Sequence, residues 1–357
     1  MISHLEVEGV RNLTAVRMTP SPHLNLIVGP NGSGKTSLLE AIYILSHGRS
    51  FRSHLLRHVV NHQREELVVF ARVDTPAHCS ALGVSRGRDG SARIRIDGQN
   101  VSNVSTLARH LPTELFTPSS HVLIEEGPKI RRSYLDWGLF HVEHRYHETW
   151  KRFRRALLQR NAALRCKEIS TLDTWDRELQ VTGEQISHWR LHYVHQIAEQ
   201  IQPFLERLLP SLSIQLHYAK GWAGDVSLGD VLAVQREKDL EVGYSLVGPH
   251  RADLRLRIDR QPAAEVLSRG QQKMLVLSLM LAQITHLRLH SHEQCVLLVD
   301  DLAAELDPTR RELVMELLAS TGAQTFMTAT AREDLTTGRW EKVSVFHVEH
   351  GQVTEVV

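Results

Sequence analysis

Residues 29–42 read GPNGSGKTSLLEAI, and the fold is decided here. The first eight residues satisfy GxxxxGK[ST] in full. In such a loop glycines let backbone N–H groups turn onto phosphate oxygens, the lysine neutralises the β and γ phosphates, and the following hydroxyl is offered to a magnesium ion. The flanks agree with that reading. LNLIV, Leu24 to Val28, is a short continuous apolar run of the kind that forms a buried strand, and TSLLEAIYIL repeats apolar residues at three and four spacing as a helix does. Strand, glycine loop and helix form the context that makes a phosphate site credible. The expected nucleotide-binding residues are therefore Gly29, Pro30, Asn31, Gly32, Ser33, Gly34, Lys35, Thr36 and Ser37.

Two further motifs stand far downstream. CVLLVDD, Cys295 to Asp301, is a buried-strand run that ends in two carboxylates. Asp300, at the strand end, is placed to hold magnesium with Thr36, and Asp301 to orient or deprotonate an attacking water. LSRGQQK, Leu267 to Lys273, precedes the helical run MLVLSLMLAQI. A serine and a glycine at a helix start present a hydroxyl and free N–H groups to an anion. The chain already has a phosphate loop, so Ser268, Gly270 and Gln271 are read as serving the nucleotide of a second copy; the bland alternative is an ordinary cap. The catalytic set expected is Asp301, Lys35 and Ser268.

Composition narrows the class. At 357 residues and 42% apolar content, the chain suffices for two domains, or for one with an insertion. No window reaches the roughly 18 consecutive apolar residues of a membrane span, and the opening MISHLEVEGV is unlike a signal peptide, so a soluble, cytoplasmic protein without membrane partners is expected. Three dispersed cysteines without a CxxC pair argue against a disulfide framework or a structural zinc site. A net charge of +1 means that any polyanion binding must rest on local patches. The 22 histidines would tighten such binding as pH falls. His54, His58 and His62, and likewise His141, His144 and His147, have helical spacing and are read as solvated helix faces.

The pattern along the chain predicts three parts. Residues 1–125 carry the alternating strand ISHLEVEGV, the phosphate loop, and the β-like runs ELVVFARV, CSALGV and SARIRID of an antiparallel layer. Residues 126–240 lose β character: Tyr146, Trp150, Phe153, Leu157 and Leu164 form one helical stripe, and Ile186, Trp189, Tyr193, Ile197, Ile201, Phe204 and Leu208 another. With KEISTLDTWD as the turn, they make an antiparallel helical hairpin. Residues 241–357 restore the β pattern in DLRLRID and CVLLVDD.

Together the motifs resemble the ABC-type ATPase heads of SMC proteins and, more closely, the bacterial RecF family of recombination mediators. The resemblance spans nearly the whole chain: HGRSFRS (47–53), GPKIRRSYLDWGLF (127–140), QRNAALR (159–165), VGPHRADL (247–254), LSRGQQK and VDDLAAELD (299–307). It implies an α/β fold, a P-loop ABC-type ATPase head with a mixed sheet, flanking helices and an antiparallel β layer, interrupted by a short inserted helical hairpin arm. It also implies ATP and Mg2+ as cofactors and a head-to-tail, ATP-dependent homodimer whose weak ATPase releases it. Double-stranded and gapped DNA, RecR with RecO, and indirectly RecA would be the partners. By the same likeness Arg11 and Asn12 lie near the nucleotide, and Glu305 to Asp307 sense the opposite subunit. Val10 stands where the family has phenylalanine, Ser119-Ser120 where an acid is expected, and no switch histidine occurs in TFMTAT (325–330), where Thr328 is the substitute.

DNA contacts are expected from the cations that crowd the first hairpin helix and its approach: Arg131, Arg132, Lys151, Arg152, Arg154 and Arg155, with Arg145, Arg160, Arg165 and Lys167 nearby. Without a recognition helix, binding would follow the phosphate backbone. Two other functions share the loop: an ABC-type subunit energising a different complex, and a P-loop kinase. The second-copy serine counts against the kinase.

Overall fold

The computed structural model describes residues 1–75, 78–291, 294–302, 306–332 and 337–356. The chain forms two units, one of residues 1–120 with 287–357 and the other of residues 121–286.

The first unit holds two sheets. An antiparallel sheet runs in the order Leu13–Met18, Ile2–Val10, Glu66–Asp74, Cys79–Gly87, Ala92–Ile96, Gln99–Asn100. Its strands alternate as the sequence requires: Leu5, Val7, Val69, Ala71, Leu82 and Val84 are all buried, and the register pairs Val7 with Val69 and Val69 with Val84. One face is thus wholly apolar. The second sheet runs Gln352–Val356, Val343–Glu349, Leu24–Val28, Gln324–Ala329, Val296–Val299, Thr113–Phe116. All its pairings are parallel except that of Gln352–Val356. Leu24–Val28, Gln324–Ala329 and Val296–Val299 are buried at every position, the signature of a parallel sheet covered on both faces.

The helix Lys35–His47 is buried around most of its circumference, with Leu38, Leu39, Ile42 and Leu45 inaccessible. They share one core with Leu5 and Val69 of the first sheet and with Ile27, Leu298 and Phe326 of the second. Such a helix has no solvent face to spare and must be packed on several sides. In the parallel sheet, the phosphate-loop strand and the carboxylate strand flank Gln324–Ala329, and Val28 pairs with Ala329 while Val299 pairs with Met327. Both strands therefore end at the same edge, outside whose carboxyl ends open α/β sheets bind ligands.

The second unit is built on a helical hairpin, Tyr146–Cys166 and Leu172–Gln200. The turn is shorter than KEISTLDTWD, because the second helix already begins at Leu172. Arg160, fully buried, joins the hairpin to the helix Leu228–Val242: Nε donates to Asp176 at 2.5 Å, and one terminal nitrogen donates to Asp239 at 2.6 Å and to the Ser245 hydroxyl at 2.8 Å. A three-stranded antiparallel sheet, Gln261–Pro262, Asp253–Ile258, Ile214–Ala219, completes the unit. DLRLRID therefore pairs with Ile214–Ala219 instead of rejoining the phosphate-loop sheet, and the compact unit ends at His286, beyond the residue 240 expected from periodicity. Local alternation announces a strand but says nothing of which sheet receives it.

Neither histidine run is a helix face. His58 ends a three-residue turn of helix, Leu56–His58, and His62 lies beyond it, while His141 and His147 belong to different helices. Among the described residues no cluster of histidine, cysteine and carboxylate side chains could hold a metal by itself.

Candidate nucleotide site

Leu24–Val28 delivers the chain into the loop, and the loop's first residue must be glycine. Gly29 has φ +153°, and a Cβ there would overlap the carbonyl oxygen of Val348. From the start of the helix, Lys35 folds back so that Nζ donates to the Gly29 carbonyl at 2.7 Å and to the Pro30 carbonyl at 3.0 Å. Burial lowers its pKa, opposed by the charges of Asp301 and Asp300. The ammonium is thus set within the loop it serves and faces both strand-end carboxylates electrostatically.

The Thr36 hydroxyl donates to Asp300 at 3.0 Å, and the Thr328 hydroxyl donates to the same carboxylate at 2.8 Å. Thr328 also accepts the Asp301 N–H at 2.9 Å. This threonine, on a fully buried strand, fixes both acids at once. Asp301 has φ +50°, a left-handed conformation costly for a non-glycine residue. Strain of that kind collects where a side chain must be aimed.

Asn12 Nδ2 donates to the Ser33 carbonyl at 2.8 Å, and its Oδ1 accepts from the Ser37 hydroxyl at 3.1 Å, which clamps the loop from the antiparallel sheet. Arg11 is held differently. Its guanidinium forks onto Glu40 at 3.0 and 2.9 Å, and Glu40, fully buried on the phosphate-loop helix, also accepts from the Ser50 hydroxyl. Ser50 belongs to HGRSFRS, so one role of that motif is to complete the seat of Arg11.

These groups open onto a cleft of about 780 Å3. It is lined by Asn31, Gly32, Gly34, Lys35, Thr36 and Ser37 of the loop, by Arg11 and Asn12, and by Asp300, Asp301 and Thr328. Gly29, Pro30 and Ser33 belong to the loop but not to this lining. The sequence missed one wall: Arg52, His58, Val60, Asn61, His62 and Gln63 also line the cleft. That segment is fixed by the Arg11 N–H donating to the Val59 carbonyl, the Asn61 N–H to Gly9, and Asn61 Nδ2 to the Arg11 carbonyl. It has no periodicity, and the signal that could have found it was HGRSFRS together with the odd charge of Glu40 inside an apolar helix. Pro118 reaches the cleft, whereas Ser119 and Ser120 bond back to Thr117.

Ser268 and Gln271 form a reciprocal cap on the helix Arg269–Ser291: the Ser268 N–H donates to Gln271 Oε1 at 2.9 Å, and the Gln271 N–H to Ser268 Oγ at 3.4 Å. Ser268 and Gly270 are exposed, and neither is among the residues lining the cleft. Asp307 caps the helix Pro308–Ser320, while Glu305 lies outside the described residues.

Several expected DNA cations are turned to structural use. Arg131 forks onto Asp253 at 2.8 and 3.2 Å, and Arg132, its pKa lowered by burial, donates to the Ala252 carbonyl. Lys151 pairs with Glu148, and Arg152 forks onto Glu178. Arg160 is the buried tie described above. Arg154 and Arg155 are exposed, without a carboxylate partner among the described residues.

A glycine loop, a strand-end carboxylate pair fixed by two threonines, and an antiparallel layer sharing its core with the phosphate-loop helix define a P-loop ATP-binding head of the ABC type. The family model described as "RecF/RecN/SMC N terminal domain" matches residues 1–354. The DNA replication and repair protein RecF of Stutzerimonas stutzeri is 46% identical, covering 99% of this chain and 97% of that one. That of Shewanella baltica is 41% identical over 99% of both. A solved structure of the recombination mediator protein RecF with ATP in the RecFOR pathway superposes with a TM-score of 0.88 at 26% identity, covering 100% of this chain and 97% of that one. The chain belongs to the RecF family of DNA replication and repair proteins.

Proposed function

We propose that the chain is an ATP-switched DNA clamp of recombinational repair and replication restart. Two copies associate head to tail around two nucleotides, each held by Gly29 to Ser37, Arg11 and Asn12 of one copy and by Ser268, Gly270 and Gln271 of the other. Gly270 carries this reading. It lies in the first turn of a helix without a left-handed φ, and a Cβ there would meet nothing within 4 Å. Glycine weakens a helix by about 0.5–1 kcal/mol relative to alanine, so nothing among the described residues accounts for it. Close approach by a group from outside does, and at an exposed helix N-terminus that group is an anion.

Within each site Lys35 neutralises the β and γ phosphates. Thr36 and Asp300 offer hard oxygen donors within hydrogen-bond distance of each other, a set that suits Mg2+ completed by phosphate and water. Mg2+ so held would neutralise charge developing on the transferred phosphoryl group. Asp301, aimed by its strained backbone and by Thr328, orients the attacking water and accepts its proton. Hydrolysis is slow and acts as a timer that opens the clamp. The clamp holds double-stranded DNA beside a single-stranded gap and works with RecR and RecO to load RecA. This fits the RecFOR pathway of the ATP-bound relative. The unit of residues 1–120 and 287–357 carries the nucleotide and the hairpin unit serves as the arm. No described helix is long and apolar enough to cross a membrane.

The test is the sedimentation mass of Asp301→Asn without nucleotide, with ADP and with ATP and Mg2+. A dimer only with ATP supports the clamp. A monomer under all three conditions would reduce Ser268 to the cap of its own helix and favour a monomeric P-loop enzyme.

A further inference from the structure

The motif VGPHRADL takes no part in the nucleotide cleft, yet the hairpin unit is packed closely around it. The Gly248 N–H donates to the Gly221 carbonyl at 3.1 Å. Gly221 has φ +92°, and a Cβ on it would overlap the Gly248 carbonyl and crowd the Ala252 nitrogen. On another side Phe153 packs against His250, with ring centroids 6.1 Å apart and the planes tilted by 35°.

Three cation–ring pairs stand beside the residues that make these contacts. Lys220 and Trp222 flank Gly221, with the ammonium 4.8 Å from the indole centroid. Arg251, next to His250, lies 5.5 Å over the ring of Tyr244, which is 42% exposed. Arg154, next to Phe153, lies 5.3 Å over Trp150. Trp150 has the spacing of the core stripe but is only half-buried. Among the described residues no carboxylate pairs with Arg154, Lys220 or Arg251.

We propose that these three pairs form a contact site for single-stranded DNA, the cations meeting phosphates and the rings meeting unstacked bases. Unpaired cations alone would suit any polyanion. The rings select among polyanions, because every base has a π face and only an unpaired strand exposes it. Duplex DNA buries those faces in its stack, so the site reads the gap and not its flanks. The inference rests on the clamp reading for its substrate but not for its geometry.

The experiment uses the full chain and fluorescence anisotropy of a labelled oligo-dT and of a duplex of equal length. Trp222→Ala with Tyr244→Ala is expected to weaken oligo-dT binding roughly tenfold or more for each ring removed from beneath a base, with duplex binding changed less than about twofold. Trp222→Phe with Tyr244→Phe keeps both rings and should restore most of the affinity. Arg154→Gln, Lys220→Gln and Arg251→Gln together should reduce the log–log salt slope for oligo-dT by about 2, at roughly 0.7 for each phosphate released from a single strand. The proposal is overturned if the double alanine variant, with ATP affinity and urea midpoint intact, binds oligo-dT like the parent or loses oligo-dT and duplex equally. An unchanged salt slope in the glutamine variant overturns it as well. Because these readouts need no ATP, they can succeed while Asp301→Asn stays monomeric. That combination would keep the DNA site and remove the clamp.

Discussion

Gly270→Ala separates what the chain needs for itself from what it needs for a second copy. Gly270 lies in the first turn of Arg269–Ser291, is solvent-exposed, and has open space where a Cβ would stand. Alanine should therefore stabilise the isolated chain by about 0.5–1 kcal/mol through helix propensity and reduced freedom of the unfolded state. For a 357-residue chain that is a rise of roughly 0.7–1.3 °C in melting temperature. In a composite site the same methyl intrudes on a close approach, and overpacking costs about 1–3 kcal/mol. A dimer contains that approach twice, so ATP-dependent association should weaken at least about 30-fold. Thermal melting without nucleotide and sedimentation with ATP, in the Asp301→Asn background, read the two effects separately. Ser268→Asp sharpens the contrast: aspartate caps a helix as well as serine, so stability should hold within about 0.5 kcal/mol, while a carboxylate facing phosphate should abolish the dimer. A Gly270→Ala chain that is more stable and dimerises like the parent would refute the reasoning.

Lys35→Ala should lose ATP binding without losing the fold, checked by titration with a fluorescent ATP analogue beside a urea melt; retained affinity would contradict the role of the loop lysine. Arg160→Met leaves Asp239 buried without its cation, whereas Asp176 keeps Arg236 at 2.7 Å, and should cost about 3–5 kcal/mol in urea unfolding; a loss under about 1 kcal/mol would mean that water reaches Asp239. Glu114, half-buried on the edge strand Thr113–Phe116, has its pKa raised by burial from 4.5 to about 8. A folded pKa above the unfolded one means that the neutral form is favoured in the fold. Its contribution is full below pH 4.5 and is lost as pH rises through about 8. Glu114→Gln should therefore gain stability relative to the parent progressively across that window, and a constant difference would overturn the assignment.

The sequence by itself determined the parts that are local. GPNGSGKT needs only its own glycines and flanking apolar runs to specify strand, loop and helix, and CVLLVDD carries its two acids at the end of a strand that its own composition makes buried. The hairpin was legible for the same reason, since Phe153, Ala163 and Leu164 on one helix and Ile186, Tyr193 and Ile197 on the other repeat with the helical period. Tertiary structure decided everything that depends on a partner far away in the chain. It sent DLRLRID to the sheet of Ile214–Ala219, because alternation fixes a strand's faces but not its neighbour. It turned Arg131 onto Asp253 and buried Arg160 between Asp176 and Asp239, because an arginine's role depends on whether a carboxylate comes within about 3 Å. It gave Thr328 its place beside Asp300 and Asp301 through the register of two parallel strands. And it brought Gly221 against Gly248 and Phe153 against His250, since contacts assembled from three separate segments leave no spacing in the sequence to read.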